Sequence, residues 1–153
     1  MGIIVRGEDS MLDAYLAELY SKVKFNLYKD MCQGMKDDST LTLPEVFCSE
    51  LIYAMKQPTV KEFAEFVQIS SPNASYKIKN LVAKGYVKKT RSKTDKREYY
   101  LDVTDKYLKQ YGTPTDTAEA LSEKIKKRFS QRDLNKFEEM IKVISSELIE
   151  EKE

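Results

Sequence analysis

Residues 71–104, SPNASYKIKNLVAKGYVKKTRSKTDKREYYLDVT, predict a capped helix followed by a two-stranded ribbon. Ser71 is a favourable N-cap, and Pro72 suits the first helical position because its missing N–H group needs no partner there. Gly85 can end the helix in a left-handed conformation. The stretch therefore predicts a helix with a signal at each end, and the rest of the chain is interpreted around it.

This helix has two different faces. Apolar residues recur at helical spacing and predict the buried side, namely Ala74, Ile78, Leu81 and Val82. The opposite side presents hydrogen-bonding and charged groups, namely Asn73, Tyr76, Lys77, Lys79 and Asn80. A helix of this kind can pack on a domain with one face and bind a polar ligand with the other.

The ribbon adds a strong positive charge. Residues 86–90 and 98–103 are rich in β-branched and aromatic residues, and the polar residues between them predict a hairpin with a long tip. Positions 77–97 hold nine basic residues and one acid, Asp95, a net charge of +8. The whole chain carries only +1, so the remainder carries −7. Such a patch suits a polyanion; the alternative is an ordinary solvated surface.

Two helices are predicted ahead of this stretch. Thr42 with Glu45 and Thr59 with Glu62 are Thr-x-x-Glu capping boxes, and Gln57 and Pro58 separate the two helices. The second of these helices is joined to the helix at residue 71 by a short turn, which is the helix-turn-helix pattern whose second helix can enter the major groove of DNA. Short helix pairs also occur in proteins that do not bind DNA.

From about residue 41 to 112 the chain resembles the winged helix-turn-helix domain of the MarR family of bacterial transcription regulators. Three motifs carry the resemblance: Asp95-Lys96-Arg97 as the D-x-R of the wing, Leu81, Gly85 and Val87 as L-x-x-x-G-x-V, and Val103-Thr104 at the Leu-Thr opening of the next helix. Two residues depart from the family pattern, since Val103 replaces leucine and Tyr107 stands where many members have glycine. The resemblance implies a mainly α fold with a small β-hairpin wing.

The resemblance also implies a domain organisation and a set of DNA contacts. Residues 41–104 would form the winged domain, and residues 10–33 and 105–150 would supply dimerisation helices. The candidate DNA-binding residues are Ser71, Asn73, Ser75, Tyr76, Lys77, Lys79, Asn80, Lys88, Lys89, Arg91, Lys93, Asp95 and Arg97. Five of them would face base edges and nearby phosphates, namely Asn73, Ser75, Tyr76, Lys77 and Asn80, while Lys79, Lys88 and Lys89 would contact phosphate.

The wing has a more specific expectation. By resemblance Arg97 enters the adjacent minor groove, and Asp95 holds either that arginine or the wing loop. Arg91 and Lys93 are rivals for the groove position. A simple turn-forming role for Asp95 is the remaining alternative.

Both ends of the chain predict apolar helix faces. The first helix carries Leu12, Leu16, Leu19, Val23 and Leu27, and the last carries Leu134, Phe137, Ile141, Ile144 and Leu148. A small winged domain does not need this much apolar surface, so a second copy could cover it, in agreement with the two-fold dimers of the family. The alternative is that both helices fold onto the core of the same chain. Gly112, Thr113 and Pro114 predict a helix break between them.

Composition narrows the function classes. The 153 residues include no histidine and no glycine-rich phosphate loop, which argues against an enzyme and against a metal or other cofactor. No apolar run approaches the ~20 residues of a transmembrane helix, and a cytoplasmic location is expected. Cys32 and Cys48 are too few for a disulfide scaffold. Of the two, Cys32 is the better candidate for a sensing thiol, and Cys48 is predicted to be a core residue.

The leading hypothesis is a ligand-modulated repressor that binds a palindromic operator in double-stranded DNA as a homodimer. A small-molecule effector of unknown identity would bind between the winged domain and the dimerisation helices and change the spacing of the two recognition helices. The alternative is a winged-helix protein-protein interaction module with only non-specific affinity for DNA.

Overall fold

The computed structural model describes residues 10–33, 41–93, 95 and 97–149, and the chain divides between Gly112 and Thr113 into two compact units. The elements of the first unit are α1 (Met11–Gln33), α2 (Leu43–Ala54), α3 (Val60–Val67), α4 (Ser71–Ala83), β1 (Val87–Arg91), β2 (Tyr99–Val103) and α5 (Asp105–Tyr111). The second unit contains α6 (Pro114–Arg128), α7 (Gln131–Val143) and a π-helical turn (Ile144–Leu148). The predicted fold class, mainly α with a small β-hairpin wing, is confirmed.

Capping residues set the starts of α2 and α3 as predicted. The Glu45 carboxylate accepts a hydrogen bond from the Thr42 backbone N–H at 2.8 Å, and Glu62 accepts one from the Thr59 N–H at 2.7 Å. The Thr59 hydroxyl in turn accepts from the Glu62 N–H at 3.2 Å. Each box satisfies backbone donors that a helix start otherwise leaves without partners.

The start of α4 corrects the sequence prediction by one residue. Ser70, not Ser71, is the N-cap: its backbone is extended, and its hydroxyl accepts from the Asn73 N–H at 3.4 Å. Ser71 is the first helical residue and Pro72 the second. Both serines are good caps, and proline is tolerated throughout the first turn because its N–H groups have no intrahelical acceptor, so the local sequence did not separate the two registers.

The end of α4 is a Schellman motif. The Gly85 N–H donates to the Val82 carbonyl at 2.9 Å, and the Tyr86 N–H donates to the Leu81 carbonyl at 3.0 Å. Gly85 has φ +79°, as the motif requires. Val82, predicted to be buried, is 37% exposed because it lies at the edge of the apolar stripe.

The core of the first unit combines α2, α3, α4, the hairpin and α5. Val46, Phe63, Ile78 and Leu101 are each fully buried. α5, which the sequence analysis grouped with the dimerisation helices, contributes Tyr107 and Tyr111 to this core. Their rings stack with centroids 4.8 Å apart, and the Tyr107 hydroxyl donates to the Glu50 carboxylate. Tyr107 therefore fills core space at the position where many members of the family that the sequence resembles have glycine.

The hairpin is attached to the connection between α2 and α3. β1 and β2 pair antiparallel with Val87 opposite Val103 and Arg91 opposite Tyr99. On the other side of β2, the Leu101 N–H donates to the Pro58 carbonyl at 2.8 Å, and Thr59 forms a β-bridge with Tyr100. The middle of β2 is therefore joined to the start of α3.

The second unit begins after the predicted break. Thr113 caps α6 and Ser130 caps α7, each accepting from a backbone N–H three residues later, and Phe129 between the helices is extended. Within the predicted apolar seam Leu134 is 9% exposed, whereas Phe137 is 44% and Leu148 69% exposed. In the described part of the chain, no helix combines the length and the apolarity needed to cross a membrane.

Candidate nucleic-acid interface

α4 turns most of the predicted contact residues outward. Ala74, Ile78 and Leu81 form the buried side of the helix. The solvent-facing arc has Tyr76 and Lys79 near its centre. Ser71, Asn73, Ser75, Tyr76 and Lys79 are exposed, whereas Lys77 and Asn80 are half-buried. The structure therefore brings all seven predicted residues of this helix onto one polar surface.

Lys77 and Asn80 lie at the edge of that surface nearest α2. Together with Tyr76 they line a narrow cleft whose other wall includes Thr42 and Glu45. Their half-burial restricts the directions in which the two side chains can reach, compared with Tyr76, which is 66% exposed. The edge residues are consequently better placed than the central ones to hold a fixed conformation.

The turn between α3 and α4 contains a residue with a left-handed backbone conformation. Gln68 ends α3 with φ +56°, a left-handed conformation that costs a residue with a side chain about 1 kcal/mol. The Ile69 N–H donates to the Ala64 carbonyl at 3.0 Å and completes the turn. This geometry directs the chain from α3 into α4, so the two helices have the helix-turn-helix arrangement that the sequence predicted.

The two predicted phosphate contacts of β1 have different surroundings. Lys88 forms an ion pair with Asp102 on β2, with 3.4 Å between the Lys88 Nζ and the carboxylate. The Lys89 Nζ lies 5.6 Å from the ring centroid of Tyr99. Successive strand residues point to opposite faces, so the two ammonium groups lie on opposite sides of the hairpin.

Asp95 organises the wing loop through backbone contacts. Its carboxylate accepts from the Arg97 N–H at 2.9 Å, and its carbonyl accepts from the Glu98 N–H at 3.1 Å. The Ser92 hydroxyl accepts from the Asp95 N–H at 3.2 Å. Of the three roles predicted for Asp95, these hydrogen bonds to backbone N–H groups correspond to holding the loop and to the simple turn-forming alternative, and they do not distinguish the two. Lys93 and Arg97 are exposed, Arg91 is exposed on β1, and Lys96 lies outside the described residues.

Lys84 differs from the other basic residues of this stretch. Its ammonium group pairs with the Glu45 carboxylate of α2 at 2.7 Å. Burial alone would raise the pKa of Glu45, but the hydrogen bonds from Lys84 and Thr42 outweigh it and hold that pKa below its usual value. Lys84 was counted in the positive patch, and the pairing reduces its contribution to the outward field.

Cys48 is the core residue that the sequence predicted, whereas the sensing role of Cys32 stays a prediction. Cys48 is buried, and burial raises the pKa of its thiol, with Lys77 opposing the change. Cys32 is exposed and lines a wholly apolar cleft of about 460 Å³ between α1 and α2. The other lining residues are Tyr28, Met31, Leu43, Pro44 and Phe47. Within the described residues, no group of three His, Cys, Asp or Glu side chains could hold a metal ion.

The sequence comparison decides the family. Residues 41–99, which span α2 to the start of β2, match the model of the MarR family. The winged-helix segment, residues 41–99, belongs to the MarR family. MarR-family members are DNA-binding transcription regulators, and the match over residues 41–99 supports that class for this chain. A search of curated proteins finds no significant match.

Several solved structures share the fold at low sequence identity. FabT of Streptococcus pneumoniae, solved in complex with DNA, is 18% identical with a TM-score of 0.56, over 90% of this chain and 94% of its own. A mutant of MepR from a multidrug-resistant S. aureus clinical isolate is 15% identical with a TM-score of 0.56, over 88% and 97%. A MarR protein from Peptoclostridium difficile is 19% identical with a TM-score of 0.50, over 97% and 94%.

Proposed function

We propose that this MarR-family chain is a repressor that binds a palindromic operator as a homodimer and is released by a small-molecule effector. The observation that carries the proposal is the set of exposed polar and basic side chains that α4 and the adjoining hairpin present. A helix for the major groove and a charged ribbon for the adjacent backbone are the two elements that winged-helix DNA recognition requires.

Each candidate residue has a proposed role. Asn73, Ser75, Tyr76, Lys77 and Asn80 read base edges or nearby phosphates, and Ser71 lies at the start of α4, where backbone N–H groups favour a phosphate. Lys79, Lys88 and Lys89 contact phosphate and supply affinity without sequence information. Arg97 enters the minor groove beside the site with Asp95 holding its loop, and Arg91 and Lys93 contact the neighbouring backbone.

The exposed apolar face of α1 supports the homodimer. Leu12, Leu16, Leu19 and Val23 recur along one side of the helix and are between 50% and 65% exposed. An exposed stripe of this length favours burial against another surface, and a second copy places two α4 helices on one duplex. Recognition helices related by two-fold symmetry and separated by ~34 Å fit successive major grooves.

The cleft beside Cys32 supports effector binding between helices of the first unit. Its lining is apolar and aromatic, so it favours an uncharged, largely apolar molecule. An effector acts only if it binds one spacing of the recognition helices more tightly than another. Displacement of bound DNA by uncharged aromatic compounds, measured by fluorescence polarisation, tests this part of the proposal.

The DNA-binding proposal is tested by selecting sequences from a random duplex pool at two salt concentrations. We expect enrichment of a palindrome with half-sites about one helical turn apart, retained at the higher salt. Binding of all sequences alike, lost as salt is added, would contradict the proposal and favour a protein-protein interaction module with a basic surface.

A further inference from the structure

Residues 84–86, which we call the corner, connect α4 to β1 and consist of Lys84, Gly85 and Tyr86. Hydrogen bonds join this corner to the start of α5. The Thr104 hydroxyl donates to the Gly85 carbonyl at 2.7 Å, and the Thr104 N–H donates to the Tyr86 carbonyl at 3.0 Å. Thr104 is also the N-cap of α5, so one residue contacts both the corner and the first turn of that helix.

Lys106 of α5 adds a charged contact to the same corner. Its ammonium group donates to the Lys84 carbonyl at 2.9 Å and lies 4.0 Å from the centroid of the Tyr86 ring. The Lys84 carbonyl is at the C-terminal end of α4, where the helix dipole favours a positive charge. The contact with the ring is a cation–π interaction, so the ammonium group has two attractive partners within the domain.

Lys84 connects the corner to α2. Its own ammonium group pairs with Glu45 at the start of α2, and Glu45 also accepts hydrogen bonds from Thr42. The C-terminal end of α4 is therefore held between α2 and α5 by two lysines whose charges are directed toward the protein. Tyr86 contributes to the α5 side through its hydroxyl, which donates to Gln110 at 2.8 Å.

We propose that Lys106 and Lys84 are positioning residues that set the orientation of α4 for base recognition, and that neither is a phosphate contact. The inference rests on the proposed DNA-binding role of α4 and goes beyond it, because Lys106 lies outside the segment of basic residues that suggested the interface. A small rotation of α4 about its buried side would displace Tyr76 and Asn80, which are central to the proposed reading of base edges.

The test compares neutral variants by the salt dependence of their DNA binding. Lys106→Met keeps the aliphatic stem and removes the charge, Lys106→Arg restores a donor, and Lys109→Met is the matched control on the same helix. Lys89→Met serves as the reference for a phosphate contact. All are measured on a duplex selected by the unaltered protein and on a duplex of random sequence.

We expect Lys106→Met to weaken binding to the selected duplex by about threefold to tenfold, with little change on the random duplex and an unchanged slope of log affinity against log salt. Lys84→Met should behave in the same way. Lys106→Arg should recover most of the loss, and Lys109→Met should resemble the unaltered protein. Lys89→Met should instead weaken both duplexes alike and lower the slope by about one.

A second measurement needs no DNA. The amides of Gly85 and Tyr86 close the Schellman motif, and their hydrogen exchange in the free protein should be faster in Lys106→Met but not in Lys109→Met. Unchanged exchange, or a salt slope for Lys106→Met that falls as it does for Lys89→Met, would overturn the inference. If the unaltered protein selects no sequence, the proposed function fails, and the exchange rates alone then decide whether Lys106 holds the end of α4.

Discussion

The carboxylate of Asp95 binds a backbone amide two residues away, so the wing loop is shaped by a side chain that carries the opposite charge to its neighbours. An acidic residue next to a polyanion is costly unless it has such a structural use. The loop it forms holds Arg97 at an exposed position on the return to β2. This separates the residue that shapes the wing from the residue proposed to enter the groove.

Arg97→Ala should weaken binding to the selected operator by ~1 to 3 kcal/mol, because it removes the proposed minor-groove contact while leaving the backbone hydrogen bonds of the loop in place. Fluorescence polarisation with the selected duplex measures the effect. Arg132→Ala, at an exposed arginine of α7, is the matched control and should be neutral. Equal affinities for the Arg97 variant and the unaltered protein would rule out this arginine as a specific contact.

At the scale of elements, the helix starts are determined by single side chains. Ser70→Ala removes the hydroxyl that accepts from the Asn73 N–H, and it should lower the free energy of unfolding by about 1 kcal/mol. Ser71→Ala is a close control, because Ser71 is exposed within the first turn of α4 and alanine is a good helix former. Chemical denaturation of both variants compares the two positions. A larger loss for Ser71→Ala would return the N-cap to the position predicted from sequence.

Local signals explain which elements were predictable. The capping boxes at Thr42 and Thr59, the left-handed Gly85 and the break at Gly112 each depend on residues within a few positions of one another, and all were predicted correctly. The N-cap of α4 was misplaced because two adjacent serines carry the same local signal. The sequence also predicted most of the candidate surface of α4, because an apolar stripe at helical spacing identifies the opposite, solvent-facing side of a helix.

Long-range contacts explain what the sequence did not reveal. Tyr107 forms a hydrogen bond with Glu50, which lies 57 positions away in the sequence, and Lys84 forms one with Glu45, 39 positions away. No periodicity or turn signal encodes such a pairing, since it depends on how the helices pack. For the same reason the sequence groups Lys84 with the outward charges and gives no signal for the role of Lys106.

At the scale of the whole molecule, the exposed stripe of α1 predicts association. Leu19→Glu places a charge in the middle of that stripe and should convert the proposed dimer to a monomer, because an unpaired buried charge costs several kcal/mol. Ser21→Glu adds the same charge to the opposite side of α1 and should leave the dimer intact. Sedimentation analysis distinguishes the two. A dimeric Leu19→Glu protein would place the interface elsewhere.

The hydrogen bond between Leu101 and Pro58 also has a consequence for the DNA. It joins the middle of β2 to the start of α3, and α3 packs against α4, so α4 and the hairpin are held together through α3. If these two elements bind DNA as proposed, their separation would not follow variations in groove width from one sequence to another. The duplex would then deform, and sites whose flanking steps bend at low cost would be preferred, so that selectivity would extend to base pairs that no side chain touches.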